Sequence, residues 1–172
     1  FAAQIAGALH HAHTRGIIHR DLKPSNVFVE PTPDDPYAIK VLDFGIAKIE
    51  TEGAAPVSTA AGPLGTVCYM AVEQYEHAAD ATALADVYAL AIMIWEMVTG
   101  RLPWGFQDMR VLYNKQLHEP PDPPPEGTLS PEWERILRSA LAVNPRNRPQ
   151  SMGALVRALA SALPAIPPFV PS

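Results

Sequence analysis

HRDLKPSN, at residues 19–26, is the stretch from which the rest of this sequence is best interpreted. It contains a carboxylate that can accept a proton (Asp21), a lysine that can neutralise a phosphate (Lys23) and an amide that can bind a metal ion (Asn26). A second carboxylate follows in the tripeptide DFG at residues 43–45. This combination suits phosphoryl transfer, in which catalysis consists mostly of positioning and charge neutralisation. Either motif alone is weak evidence, whereas the two in this order form a strong signal.

Length and composition indicate one ordinary globular domain. The chain has 172 residues, of which 48% are hydrophobic and 18% charged, so it can bury one core. Its net charge of −5 argues against general nucleic-acid binding, which requires a basic surface. The single cysteine, Cys68, excludes an intrachain disulfide, and nothing near it in sequence favours a reactive thiol.

Neither apolar stretch of the sequence predicts a membrane span. Residues 1–9 are too short to cross a bilayer, and no basic region precedes them as in a signal peptide. Residues 83–98 are longer but contain Asp86 and Glu96, which favour a buried helix of a globular protein. We therefore expect no membrane segment in this chain and a cytoplasmic location.

Apolar residues at helical spacing predict a first helix over residues 1–14. Gly16 is a suitable residue to end it, because glycine readily adopts the left-handed conformation found after helix C-termini. The three histidines near this end, His10, His11 and His13, are interpreted as polar surface.

Two short β-branched runs, residues 27–29 and 39–42, predict a hairpin closed by the proline-rich and acidic turn 30–37. Such a hairpin returns Asp43 to the neighbourhood of Asn26. Two oxygen ligands separated along the chain would then lie close enough to share metal ions.

Further along the chain, the pattern predicts a core helix over 83–99 and three more helices. Asp86 lies inside the core helix and therefore needs hydrogen-bond partners. Prolines mark a loop at 120–125 and a tail, disordered or a linker, at 164–172. The three later helices are expected over residues 108–117, 130–143 and 151–163.

These motifs together resemble the eukaryotic-type (Hanks-type) serine/threonine protein kinases, and the style of the sequence resembles their bacterial members. GTVCYMAVE at residues 65–73 is similar to the family's GTxxYMAPE, and NPRNRP at 144–149 to its DPxxRP. Val72 and Asn144 depart from the pattern. The resemblance covers residues 1–163 and implies the C-lobe of a protein kinase domain, a mainly α part of the α+β kinase fold with a small β-hairpin at the catalytic site.

The resemblance assigns roles to the polar residues of the loop and hairpin. It implies that Asp21 is the catalytic base and that Lys23 neutralises the transferred phosphate. It implies that Asn26 and Asp43 bind Mg²⁺, and that Asp43 with the apolar Phe28 binds ATP, the Phe28 ring forming a floor under the adenine.

Residues 43–73 match an activation segment. In the family, Arg20 pairs with a phosphorylated residue of this segment, for which Ser58 and Thr59 are the candidates. The alternative, that both are ordinary polar loop residues, is equally open. The hydroxyl of Thr66 is expected to bridge Asp21 and Lys23, which favours Ser/Thr over Tyr specificity.

A last group of residues is implied to support the site without touching the substrate. His19 is expected to pack beneath the DFG phenylalanine, and the carboxylate inside the core helix to accept backbone hydrogen bonds from the catalytic loop. A buried ion pair is expected between residues 73 and 148. The group comprises His19, Phe44, Gly45, Glu73, Asp86 and Arg148.

The N-lobe of the family is absent from the sequence, which lacks a GxGxxG loop, the strand lysine that binds the α- and β-phosphates, and the helix glutamate that pairs with this lysine. The predicted function is transfer of the ATP γ-phosphate to Ser/Thr of protein substrates, with an N-lobe in cis or trans completing nucleotide binding. The chain alone is expected to be weak or inactive. The alternatives are a pseudokinase-like binding module and a helical scaffold. Substrate and upstream signal stay open.

Overall fold

The computed structural model describes residues 1–44, 67–76, 81–105 and 108–163, and its described part is mostly helical with one small sheet. The helical prediction is therefore confirmed. The predicted tail at 164–172 and most of the predicted activation segment lie outside the described residues. Within the described ranges, the helices and strands are α1 (Ala2–His13), β1 (Val27–Val29), β2 (Ile39–Val41), α2 (Glu73–Glu76), α3 (Ala83–Thr99), α4 (Met109–His118), α5 (Pro131–Ala140) and α6 (Met152–Ser161). Single 3-10 turns lie at Pro24–Asn26, Val67–Tyr69 and Pro145–Asn147.

Helix α3 forms the centre of the core. Residues 85–95 are all buried, as expected for a helix that is apolar around most of its circumference. Thr82 caps its start by accepting a hydrogen bond from the amide of Leu84, and Gly100 ends it with a φ of 69°. Helices α1 and α5 both pack on α3, and α6 packs on α1 and α5. Loops that border α3 are therefore attached to the most buried part of the chain.

Helix α1 places its apolar stripe, which includes Ile5 and Leu9, in this core. It ends because Gly16 adopts a φ of 75°, and the amide of Ile17 then donates to the carbonyl of Ala12 at 3.0 Å. Such left-handed glycine endings satisfy carbonyls that the last turn leaves without helical partners. The predicted role of Gly16 is confirmed, and the chain turns here towards residues 19–26, the predicted catalytic loop.

The predicted hairpin is present. Strands β1 and β2 pair antiparallel, with Val27 opposite Val41 and Val29 opposite Ile39. The pairing continues one step further, because the amide of Leu42 donates to the carbonyl of Asn26 at 2.9 Å. The end of β2 is therefore fixed beside the end of the catalytic loop.

Helices α5 and α6 are shorter than predicted, whereas α4 has the predicted length and is displaced by one residue. At the starts of α4, α5 and α6, a backbone N–H donates to the side chains of Asp108, Ser130 and Ser151, respectively. Asn144 accepts a similar bond at the start of the 3-10 turn Pro145–Asn147. Helix α5 ends at Ala140 rather than near residue 143. In the described part of the chain, no helix combines the length and apolarity needed to cross a membrane.

Arg148 joins the C-terminal region to the centre of the fold. Its side chain is fully buried, and its two terminal nitrogens bind the two carboxylate oxygens of Glu73 at 2.7 and 2.8 Å. The guanidinium also donates to the carbonyls of Leu84, Ala142 and Val143 and lies 4.8 Å from the centre of the Tyr88 ring. The expected ion pair is thus present, and further partners compensate the buried charge.

Removing the acidic partner should destabilise the fold strongly. We expect Glu73→Ala to lower the free energy of unfolding by about 3–5 kcal/mol, because it leaves a buried guanidinium without its counter-charge. Denaturant unfolding of the purified chain measures this change. Glu132→Ala, which breaks the exposed pair with Arg135, is the control and should leave the midpoint unchanged. Equal effects of the two substitutions would contradict the prediction.

Candidate active site

The two residues proposed for proton transfer and phosphate neutralisation contact each other. Lys23 Nζ lies 2.9 Å from Asp21 Oδ2, and both side chains are largely buried, with 19% and 16% exposed. Asn26 closes the same loop, because its Nδ2 donates to the carbonyl of Asp21 at 2.9 Å and its backbone amide to the carbonyl of Lys23 at 3.0 Å. The loop therefore presents its carboxylate and ammonium groups from a fixed backbone.

The residues proposed as metal ligands stand at the ends of paired strands. Asn26 immediately precedes β1, and Asp43 follows β2 with a φ of 56° and an exposed side chain. Because the Asn26 amide nitrogen is bonded to the loop, its oxygen Oδ1 is the atom that could bind a cation. A carboxylate and an amide oxygen are hard ligands of the type that Mg²⁺ prefers, so the donor set fits this ion.

Asp86 holds the start of the catalytic loop. The Asp86 side chain is 1% exposed and accepts hydrogen bonds from the amides of His19 and Arg20, both at 2.9 Å. Arg20 has a φ of 63°, a left-handed conformation that costs a non-glycine residue roughly 1–2 kcal/mol. The carboxylate inside the core helix therefore makes the backbone bonds that the resemblance implied.

One of the three histidines was interpreted wrongly. His10 and His11 are exposed, as predicted, but His13 is partly buried and its Nε2 lies 2.7 Å from Asp86 Oδ2. The helical period explains the difference, because His13 lies four residues after the buried Leu9 and so shares its face. That spacing was visible in the sequence, whereas its partner on α3 was not.

His19 connects the catalytic loop to the end of β2. Its Nε2 lies 3.0 Å from the carbonyl oxygen of Leu42, and its Nδ1 lies 3.3 Å from the backbone nitrogen of Asp21. A carbonyl only accepts and an amide N–H only donates, so this pairing assigns the ring proton to Nε2. The ring also packs against Phe44, with 4.7 Å between centroids. His19 thus contacts the backbone of Asp21 and both residues that flank Asp43.

Of the remaining predicted residues, Phe28 is described by the structure and four others are not. Phe28 lies on β1 with half of its surface exposed, on the strand that follows Asn26. The other predicted residues, Gly45, Ser58, Thr59 and Thr66, lie outside the described residues. The phosphosites and the threonine bridge therefore stay predictions.

Sequence reasoning missed Gln74. It is 4% exposed, and its Nε2 donates to the carbonyl of Arg20 at 2.9 Å while its Oε1 accepts from the amide of Ala71 at 3.0 Å. A glutamine in a short polar run gives no signal of this kind. It was detectable only once the fold placed residues 67–76 against the catalytic loop.

Cys68 is buried and Tyr69 is partly buried, and Glu96 lies close to both. The hydroxyl of Tyr69 donates to Glu96 Oε2 at 2.6 Å. Burial raises the pKa of Tyr69, and the hydrogen bond to Glu96 raises it further. Burial, followed by the negative charge of Glu96, also raises the pKa of the Cys68 thiol. These environments favour the neutral forms of both groups.

Comparison with known proteins relates this geometry to a family. The sequence profile of the protein kinase domain matches residues 1–159. The serine/threonine-protein kinase pkn3 of Myxococcus xanthus is 41% identical over 155 residues, covering 87% of this chain and 28% of that protein. The serine/threonine-protein kinase PknA of Mycobacterium tuberculosis is 37% identical over 160 residues, covering 92% of this chain and 35% of that protein. The chain thus spans about a third or less of the length of these relatives.

Replacing the buried carboxylate by an amide should destabilise the loop. In Asp86→Asn at least one of the three donors must face an NH₂ group, so we expect a loss of about 1–3 kcal/mol of unfolding free energy. Denaturant unfolding measures it. Asp108→Asn makes the same chemical change at an exposed cap, where asparagine is equally good, and should be neutral. A neutral Asp86→Asn would refute the proposed importance of these bonds.

The Cys68 thiol should react slowly with alkylating agents at neutral pH. It is 4% exposed, and its raised pKa lowers the thiolate fraction, so we expect labelling at least about 100-fold slower than in the unfolded chain. Mass spectrometry of iodoacetamide-treated protein, with and without denaturant, measures the ratio. Raising the pH should accelerate labelling of the folded chain. Equal rates in the folded and unfolded states would contradict the expected burial.

Proposed function

The chain belongs to the protein kinase domain family, and from this we propose that it carries the catalytic loop of a Ser/Thr protein kinase, transferring the γ-phosphate of ATP to protein hydroxyls. The observation that carries the proposal is the 2.9 Å contact between Asp21 and Lys23, in a loop that Asn26 and Asp86 hold in shape. Positioned charges of this kind are what phosphoryl transfer requires.

Each residue of the loop has one task in the proposed reaction. The substrate hydroxyl oxygen forms a bond to the γ-phosphorus, and the bond between that phosphorus and the bridging oxygen of ADP breaks. Asp21 orients the hydroxyl and receives its proton. Lys23 offsets the negative charge of the transferred group, and its contact with Asp21 keeps the two groups on the same side of the loop.

Magnesium is the ion that the donor set suits, with Asn26 and Asp43 as its proposed protein ligands. When bound, it supplies charge neutralisation at the phosphates. The hairpin contributes the positions of both residues, since the bond from the amide of Leu42 to the carbonyl of Asn26 fixes the strand ends side by side. Supporting this arrangement is the proposed task of His19, which contacts Leu42 and Phe44.

The chain is further proposed to be the C-lobe, residues 1–163, with an N-lobe in cis or trans completing the nucleotide site. The half-exposed Phe28 supports this, since a large apolar side chain at the proposed nucleotide face is suited to packing under an adenine ring. Without the second lobe, ATP is held poorly. The chain alone should therefore transfer phosphate weakly or not at all, because positioning is the main catalytic contribution.

Phosphate transfer from labelled Mg-ATP to a generic basic protein tests the proposal. The chain is assayed alone and mixed with a kinase N-lobe whose binding to the chain is first verified by analytical ultracentrifugation. We expect transfer only in the mixture. Asp21→Asn should reduce it by about 10²–10⁴-fold, the usual contribution of a general base.

Asp34→Asn, the same chemical change at an exposed position of the hairpin turn, is the matched control and should leave transfer unchanged. Transfer that is insensitive to Asp21→Asn would refute the assigned role. A verified complex that transfers nothing would instead favour a pseudokinase-like binding module or scaffold.

A further inference from the structure

Gln74 uses both halves of its side-chain amide to join two segments that are far apart in sequence. It is the second residue of α2, and its own backbone amide donates to the carbonyl of Ala71 at 3.0 Å. The Oε1 atom accepts from the amide of the same Ala71 at 3.0 Å, and Nε2 donates to the carbonyl of Arg20 at 2.9 Å. One side chain therefore connects the segment 67–76 to the catalytic loop.

The orientation of this amide is fixed by its partners. With the amide rotated by half a turn, Oε1 would face the carbonyl of Arg20 and Nε2 would face the N–H of Ala71. Both contacts would then pair like groups, an acceptor with an acceptor and a donor with a donor. Because Gln74 is buried, water could not readily repair them. The contact is therefore specific for an amide in one orientation.

The carbonyl that Gln74 binds belongs to a residue in an unfavourable conformation. Arg20 has a φ of 63°, and its backbone N–H donates to Asp86 Oδ1 at 2.9 Å while its carbonyl accepts from Gln74. Side chains from α3 and α2 thus bind the backbone N–H and the carbonyl of one left-handed residue. The next residue is Asp21, so the direction of the Arg20 carbonyl fixes the start of the Asp21 backbone.

Helix α2 is itself held from the other side. Glu73, the neighbour of Gln74, makes the bidentate ion pair with the buried Arg148. A displacement of α2, which moves Gln74, therefore has to break this pair or carry Arg148 with it. The two neighbouring side chains connect the C-terminal region, the segment 67–76 and the catalytic loop.

We infer that Gln74 is a positioning residue, which couples the placement of the segment 67–76 to the placement of Asp21 through the carbonyl of Arg20. The inference rests on the proposed function for the role of Asp21, but the coupling itself is measurable without phosphate transfer. It predicts that removing only the donor half of the amide disturbs Arg20 and Asp21, although neither residue is changed.

Gln74→Glu separates the two hydrogen bonds. It preserves the length and shape of the side chain and an acceptor oxygen for Ala71, but an ionised carboxylate has no donor for the Arg20 carbonyl. A protonated carboxyl regains one O–H donor, and burial favours this form by raising the pKa of the introduced group. Lowering the pH should therefore restore the bond to Arg20 in the variant.

The readout is the NMR signal of the Arg20 carbonyl carbon and of the Asp21 amide, recorded on the whole chain from pH 5 to pH 9. We expect the difference between variant and wild type to be large at high pH and to vanish in a single titration towards low pH. Subtracting the wild type removes the contributions of the other charged and titratable groups near this point, which are His13, His19, Arg20, Asp21, Lys23, Tyr69, Glu73, Asp86 and Arg148.

Gln116→Glu is the matched control. Gln116 is also buried, at 2% exposure, and its Nε2 donates to the carbonyl of Met70 at 3.3 Å, in the same segment 67–76. Its replacement removes the donor to the Met70 carbonyl and leaves both hydrogen bonds of Gln74 intact. The Arg20 and Asp21 signals should stay at their wild-type positions in this variant at every pH.

If Gln74→Glu does not fold, as judged by near-UV circular dichroism, Gln74→Met replaces it. Methionine is similar in length and has no donor at any pH, so the Arg20 signal should be shifted throughout and should show no additional titration. Arg20 and Asp21 signals that match the wild type in the folded variant would overturn the inference.

The second measurement is the kcat of phosphate transfer in the mixture of the chain with the N-lobe. At high pH, Gln74→Glu should lower kcat by about tenfold with the KM for ATP unchanged, the factor expected for the loss of one ordinary hydrogen bond. Recovery of kcat at lower pH, relative to wild type, should follow the NMR titration. Shifted NMR signals with an unchanged kcat would overturn the positioning role. An inactive wild type would refute the proposed function and leave the NMR arm to decide the coupling.

Discussion

The proposed catalytic loop, residues 19–26, depends on one buried carboxylate, that of Asp86. An ionised group at 1% exposure is stable only when hydrogen bonds replace its lost hydration. Three donors, from His13, His19 and Arg20, meet its two oxygens within 2.9 Å. Since two of the donors are backbone amides of the loop, satisfying the carboxylate and shaping the loop are the same event. The most buried helix thereby determines the position of the polar loop.

This arrangement explains how a non-glycine residue keeps a left-handed conformation next to the proposed base. The steric preference of Arg20 opposes its φ of 63°. Asp86 binds its N–H and Gln74 its carbonyl, so a return to an ordinary conformation would break two buried hydrogen bonds at once. Unfavourable backbone conformations persist where the surroundings over-determine them, and such places are frequently functional. Asp43, which follows β2 and is a proposed metal ligand, also has a left-handed conformation, with a φ of 56°.

Much of the fold and part of the site follow from the sequence, for identifiable reasons. Local periodicity and capping chemistry act over a few residues, and they predict the core helix, the hairpin and the caps at Ser130 and Ser151. The pairs of Asp86 with the loop and of Glu73 with Arg148 join residues far apart, and only the family resemblance supplied them. His13 and Gln74 were misjudged or missed because their partners lie on other elements. A polar side chain looks the same in sequence whether it faces water or a buried carbonyl.

Local sequence patterns and the contacts between distant residues also differ in what they say about mechanism. Local patterns identify which groups can do chemistry, namely Asp21, Lys23 and Asn26, but these groups occur in many loops of no catalytic importance. What distinguishes this loop is that its backbone is bonded on three sides: to α3 through Asp86, to the hairpin through His19, and to α2 through Gln74. A neutral hydrogen bond contributes only about 1 kcal/mol net, so the contacts through His19 and Gln74 supplement the stronger charge-assisted bonds to Asp86 that hold the loop. Their convergence on residues 19–21 fixes it, since a displacement that relieves one contact strains the others.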